Sequence, residues 1–398
     1  MNILFLTLSY ITDIKIRGIY TDLMRKFRNE GHQVYIVTTF ERKCNLSTSL
    51  SIQDGIHMLG VRTLNIQKTN VVEKGLGTIS IEALFFRAIN KYFKDIHFDL
   101  ILYSTPPITF SKVVKNLKKK NKALTYLLLK DIFPQNAVDL QMFSKHSLFY
   151  WYFRRKEIQL YKESDFIGCM SPANVDFVKA HNLFVTSEKI EVAPNSIELP
   201  KDVIDIDKNE IKEKYNLPVD KPIFIYGGNL GKPQGLDFLL QVLTSNLNRG
   251  DLFFLIVGSG TEYQKIARWF NTFSPSNAKL IQGLPKQEYD ALVRSCDVGL
   301  IFLDPRFTIP NYPSRLLSYL EYKIPVLAAT DKNTDIGRIA EENGYGYYCL
   351  NGDIDSFNIC LDKLLDKGNR EKMGERGYQF LKQNYLVDNT YRTIMAHL

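Results

Sequence analysis

Residues 311–328, NYPSRLLSYLEYKIPVLA, place a Pro-Ser-Arg turn at the start of an amphipathic helix that ends just before a short apolar strand. First-turn amides of a helix lack intrahelical partners and the macrodipole is positive there, so an anion is held well, and Arg315 adds a full charge. A second stretch, YGGNLGKPQGLD (226–237), puts a glycine-rich turn containing Lys232 after an apolar run. Together the two predict a nucleotide diphosphate site. The plainer alternative is an exposed turn lysine and a surface ion pair. Asp131, in KDIFPQ, sits where a strand enters the ligand crevice of an α/β fold, and it is the candidate catalytic carboxylate. Its alternative is a loop aspartate capping the turn before Pro134.

Weaker candidates surround these. Gly18, beside Arg17, follows the first apolar run. Gly258 and Gly260, in IVGSGTEY, either turn the chain or approach a ligand, and Glu262 opens the next helix. Asp297 in RSCDVGL reads as a structural cap. His57, His97 and His146 have no triad or ligand spacing, and no metal site is visible.

The elements that position these residues alternate short apolar runs with amphipathic stretches, the pattern of βα units and parallel sheets. NILFLTL, QVYIVT, LILYS, ALTYLLL and FIGCMS are the strands of a first half; PIFIYGG, LFFLIVG, AKLIQG, VGLIFL and PVLAA repeat the theme. A length of 398 residues suits two domains of about 200 residues each. The expected division is 1–197, a charged and proline-punctuated linker at 198–222, a second domain at 223–375, and terminal helices at 376–398 that return to the first domain. Ligands of such domains bind in a crevice at the carboxyl ends of the strands.

The net charge of +8 is uneven: residues 1–200 hold 27 Lys and Arg against 18 Asp and Glu, and residues 201–398 hold 24 against 25. The first half is therefore expected to meet an anionic partner, unless the charge is merely a solvated surface. Five cysteines without CxxC spacing fit free thiols in a reducing compartment. MNILFLTLSYI reads as a buried strand rather than a signal peptide, and no apolar run is long enough to span a bilayer. The expectation is a cytoplasmic protein.

In their order, GNLGKPQGLDFLL, IVGSGTEY, DVGLIFL, PSRLLSYLEYKIPVLA and TDIGRIAEENGYG resemble the motifs of glycosyltransferase family 4; LLLKDIFPQNAVDL, MSPANVDF and VAPNSIEL resemble its first-half motifs. The resemblance covers nearly the full length and is strongest to a branch with bacterial N-acetyl-L-fucosaminyltransferases of surface-polysaccharide assembly. It implies the GT-B fold, an α/β architecture of two Rossmann-like domains facing a cleft. It also implies a retaining transfer without metal or other cofactor, the nucleotide-sugar donor on the C-terminal domain and the acceptor on the N-terminal one. Without a divalent ion the leaving diphosphate falls to amides, a helix N-terminus and cations, which Lys232 and Arg315 fit. Gly18 occupies the place where the family brings backbone close to the donor phosphate, and Gly228 opens the donor loop.

The chain departs from the family at several of these positions. Asn229 stands where an Arg is usual and Gln234 where a Lys is, so the cation has shifted to Lys232. Two family glutamates fall on Pro310 and Ser318, leaving Ser318 a weaker ribose contact, with Glu321 a substitute only if the register shifts. Because Pro310 and Pro313 lack backbone donors, sugar contacts fall to Asn311 and the amides of Tyr312, Ser314 and Arg315.

Around 145–162, KHSLFYWYFRRKEIQLYK interleaves aromatic and basic residues, which suits a membrane interface if the rings are not core, and KVVKNLKKKNK (112–122) extends the patch. The reading overall is a glycosyltransferase acting on a UDP-sugar, with UDP-N-acetyl-L-fucosamine favoured, and on a polyprenyl-diphosphate-linked saccharide in O-antigen or capsule assembly. It places the protein at the inner face of the cytoplasmic membrane, with no nucleic-acid partner. The rivals are a non-catalytic GT-B subunit and a GT-B sugar-nucleotide epimerase.

Overall fold

Strands buried on both faces read as continuous apolar runs, and all ten runs named above are strands in the computed structural model, which describes residues 1–66, 71–200 and 206–398. The chain divides into two compact units, Met1–Glu198 with Leu386–Leu398, and Leu199–Tyr385. In the first, β1 (Asn2–Leu6), β2 (Gln33–Glu41), β3 (Ser49–Gln53), β4 (Ile56–Thr63), β5 (Leu100–Ser104), β6 (Leu124–Leu129), β7 (Phe166–Cys169) and β8 (Ile190–Val192) form one sheet. Its order is β3-β4-β2-β1-β5-β6-β7-β8, with β3 antiparallel to β4 at one edge. In the second, β9 (Ile223–Asn229), β10 (Phe253–Ser259), β11 (Ala278–Gln282), β12 (Val298–Phe302), β13 (Val326–Thr330) and β14 (Gly346–Leu350) pair in parallel as β11-β10-β9-β12-β13-β14. That is the GT-B pair of doubly wound domains.

Each unit closes its own core. Ile3, Phe5, Ile36, Leu102 and Leu128 pack in the first, joined by Val387 and Ile394 from the helix Val387–Met395. Phe224, Ile256, Leu300, Phe302 and Phe357 pack in the second. Asp297 is structural: its Oδ2 accepts the Ile223 amide at 2.9 Å and fixes the start of β9.

Two boundaries differ from the sequence expectation. The helix Lys367–Asn384 stays with the second unit, where Gly374 and Gly377 let it lie against Lys323, Leu320 and Tyr345, so only the last thirteen residues return. The segment 198–222 is not a free linker: from Leu199 it belongs to the second unit and contains the helix Lys208–Lys214, capped by the Asp207 side chain. Its residues 201–205 lie outside the described residues.

Candidate active site

In the second unit β9 is the central strand, flanked by β10 and β12, so the crevice at its carboxyl end is the topological switch point where ligands of open α/β sheets bind. The loops that reach this end are tied together. Asp304 donates its amide to the Pro233 carbonyl at 3.1 Å, Asn351 Nδ2 donates to Leu303 at 2.8 Å, and Asn333 Nδ2 donates to Phe307 at 2.6 Å. The Asn311 amide donates to Thr334 Oγ1 at 2.9 Å, and that hydroxyl donates to Asp331.

Arg315 lies inside this cluster. Its Cζ stands 4.5 Å from the centroid of the Tyr226 ring, a cation–π contact, and its Nη2 donates to Gln234 Oε1 at 2.6 Å. Tyr226 donates its hydroxyl to the Asn229 carbonyl at 2.9 Å and to the same Gln234 oxygen at 3.2 Å. Gly228, at φ +121°, passes so close that a Cβ there would stand 3.7 Å from Cζ. Burial raises the hydroxyl pKa values of Tyr226, Tyr289 and Tyr319, Tyr289 to about 12, so these neighbours stay neutral. Nη1 is buried and has no hydrogen-bond partner, and no carboxylate pairs with the guanidinium among the described residues. This excludes the surface ion pair.

The other donor candidates are placed as follows. Lys232 is exposed at the start of the turn Lys232–Gln234 and has no partner among the described residues. Asn229 is exposed beside it and uses its carbonyl for Tyr226. The Glu262 amide donates to the Leu230 carbonyl at 2.8 Å, while its carboxylate pairs with Lys265. Gly258 and Gly260 bring β10 against the donor loop: a Cβ on Gly258 would lie 2.0 Å from the Gly228 oxygen, and one on Gly260 2.3 Å from the Leu230 oxygen. The helix opened by Arg315 runs only to Glu321, and the amides of Leu316 and Leu317 turn back onto the carbonyls of Pro313 and Ser314. The positive charge there is thus carried by the Arg315 side chain more than by helix amides. Ser314 is exposed, the Ser318 hydroxyl has no partner among the described residues, and the Tyr312 hydroxyl bonds that of Tyr385.

In the first unit Asp131 follows β6. Asn136 Nδ2 donates to both carboxylate oxygens at 2.7 and 2.9 Å, and Thr105 Oγ1 accepts the amides of Lys130 and Asp131. Burial outweighs these bonds and raises the Asp131 pKa to about 6, which suits a general base near neutral pH. Lys130 donates from Nζ to the Ala193 carbonyl at 3.0 Å, and burial lowers its pKa to about 7. Gly18 caps the helix Ile19–Asn29 with an extended φ of 179°, a conformation open to any residue, and its amide donates to Asp22 Oδ1 at 2.9 Å. Sequence reasoning assigned no role to Tyr226, Asn136 or Lys130. Gln234 drew notice only as a departure, and its bond to Arg315, 81 positions away, left no local signal.

Solved structures share this architecture. Sucrose-phosphate synthase from Thermosynechococcus elongatus superposes with a TM-score of 0.76 at 14% identity, over 100% of both chains. Anabaena HepE in complex with UDP gives 0.68 at 14% identity, over 100% of this chain and 99% of that one. Fold and crevice define a GT-B protein. Residues 207–380 match the family Glycosyl transferases group 1. Among curated proteins, the probable glycosyltransferase WbjE of Pseudomonas aeruginosa is 22% identical over 320 residues, 80% of this chain and 78% of that protein. The putative colanic acid biosynthesis glycosyl transferase WcaI of Escherichia coli K12 is 23% identical over 363 residues, 86% of each. The chain is a glycosyltransferase.

Proposed function

We propose that this enzyme moves a sugar from a nucleotide diphosphate donor, a UDP-sugar, onto a lipid-linked saccharide in bacterial surface-polysaccharide assembly. The observation that carries the donor half is Arg315: a guanidinium with one nitrogen buried and unpaired, held by neutral groups and without a counter-ion among the described residues. Such a charge is costly unless an anion completes it, and a diphosphate supplies one. HepE, of the same fold, is described in complex with UDP. The acceptor half rests on the basic first half of the chain and on the colanic acid role given in the name of WcaI.

In this reading the donor carbon–oxygen bond to the diphosphate breaks as the acceptor hydroxyl attacks from the same face, so configuration is retained. Arg315 and Lys232 stabilise the charge on the departing diphosphate without a metal ion. Asp131 orients the acceptor hydroxyl and helps to take its proton, the departing phosphate taking the larger share. Gly228, Asn229, Glu262, Asn311, Tyr312, Ser314 and Ser318 line the donor end. The donor sugar is N-acetyl-L-fucosamine, a choice that rests on resemblance, and the product enters O-antigen or capsule at the inner face of the cytoplasmic membrane.

Calorimetry with UDP, in the presence of chelator, tests the donor half. Wild type binds, and Arg315→Ala loses about ten- to a hundredfold in affinity, the worth of a hydrogen-bonded charge. Equal affinity in the two proteins overturns it. Transfer from UDP-N-acetyl-L-fucosamine to a polyprenyl-diphosphate saccharide, set against other UDP-sugars, tests the rest.

A further inference from the structure

The first turn of the helix Leu148–Glu163 stands clear of the core. Leu148 is 87% exposed, Phe149 69% and Trp151 64%, and Met142 just before it is 63% exposed. The helix is anchored further on, through Lys156, Glu157, Leu160 and Tyr161. Beside the projecting turn runs a groove of about 520 Å³ whose lining includes Ile79, Phe86, Val113, Lys112 and Arg155. Its one carboxylate is consumed: Glu82 pairs with Lys156 at 2.9 Å and accepts the Lys112 amide at 2.6 Å. The Lys112 ammonium and the Arg155 guanidinium have no partner among the described residues.

We infer that this surface docks the first unit on an anionic lipid bilayer, with Leu148, Phe149 and Trp151 entering the headgroup–acyl boundary and Lys112 and Arg155 meeting lipid phosphate. Large apolar side chains exposed together on a soluble face mark an interaction site, and cations without counter-ions beside them select a negatively charged partner. Orientation supports the same occupant. A helix that connects parallel strands runs against them, so its N-terminus lies at their carboxyl end. The helix carrying Lys112 follows β5, and the helix carrying Leu148 precedes β7. Both therefore open on the sheet edge that holds Asp131 after β6, and a bilayer there presents a lipid-anchored acceptor to the edge with the proposed base.

This inference goes beyond the donor reading, which UDP calorimetry tests without lipid. Docking is measured by co-sedimentation with vesicles of equal parts phosphatidylglycerol and phosphatidylcholine, against phosphatidylcholine alone, at low and high salt. Wild type binds the mixed vesicles, and salt weakens the binding. Phe149→Ser with Trp151→Ser loses more than about tenfold in partitioning, since each ring forfeits its burial in lipid. Lys112→Gln with Arg155→Gln loses about fivefold for each cation removed. Melting temperature and UDP affinity stay unchanged in both variants, because neither the core nor the donor loop is touched. Absence of wild-type binding, or binding unchanged in both variants, overturns the proposal. So does a wild-type dimer in sedimentation velocity that the serine variant converts to monomer, since a second copy would then be what covers the face.

Discussion

Gln234 Oε1 accepts from Arg315 Nη2 at 2.6 Å and from the Tyr226 hydroxyl at 3.2 Å, so one neutral oxygen orients the guanidinium without cancelling its charge. A carboxylate in its place would keep the geometry and supply the missing anion. Gln234→Glu is therefore expected to weaken UDP binding by about tenfold or more, the worth of a charge-assisted hydrogen bond, and to leave uridine binding as it is. Gln234→Ala frees the side chain and costs less. Calorimetry with UDP and with uridine separates the two effects; a uniform loss for both ligands would mean that the loop had simply come apart.

Ser318 offers the opposite test. Its hydroxyl has no partner among the described residues, and it falls where the resembled family keeps a ribose-binding glutamate. Ser318→Glu is expected to tighten UDP binding about tenfold through charge-assisted hydrogen bonds to the ribose hydroxyls. Unchanged affinity would place the ribose elsewhere.

Asp131 supplies the pH dependence. If it assists proton removal it must be ionised, so turnover rises with pH and levels off above about 6. Asp131→Asn should lose turnover by about 10²-fold or more, the usual share of a general base, with UDP affinity intact. Stability gives an independent reading. Burial holds the proton more tightly in the folded state than in the unfolded chain, whose carboxyl titrates near ~3.9, so ionising Asp131 costs stability as pH rises from about 4 to about 6. The Asn variant lacks that loss. Melting temperatures compared across this range check the sign.

Gly258 meets the donor loop where a methyl group has no room, its Cβ position lying 2.0 Å from the Gly228 oxygen. Gly258→Ala must push β10 and the loop apart, and a loss of about 1–3 kcal/mol is expected, the usual cost of overpacking. Chemical denaturation measures it. A fall in UDP affinity should accompany the loss, because Gly228 lies beside Arg315.

What could be read from the sequence follows from where the signal is local. Ten strands were legible because nearly all are buried apolar runs of four or more residues, β11 with its half-buried AKLIQ being the weakest. The four missed ones carry a weaker signal: β3 is an exposed antiparallel edge strand, β8 has three residues, His57, Gly60 and Arg62 interrupt β4, and β14 is only partly buried. Arg315 and Asp131 could be chosen as candidates by type and place. The bonds that orient them were not legible, since Gln234 lies 81 positions from Arg315, and Ala193, which takes the Lys130 ammonium, lies 63 positions away. The aromatic run at 148–153 was ambiguous for a different reason. A helix's first turn has no fixed inner face until its packing is known, and here it projects while the next turns are anchored.

The return of Leu386–Leu398 to the first unit has a consequence for how the protein is made. Val387 and Ile394 fill the core beneath β1, the Val387 amide donates to the Ile197 carbonyl, and Tyr391 packs on Phe27 at 5.0 Å. These residues leave the ribosome only after the whole second unit has been synthesised. The nascent first unit therefore waits with an open apolar face while the second is translated, and its last piece arrives only after another domain has been made.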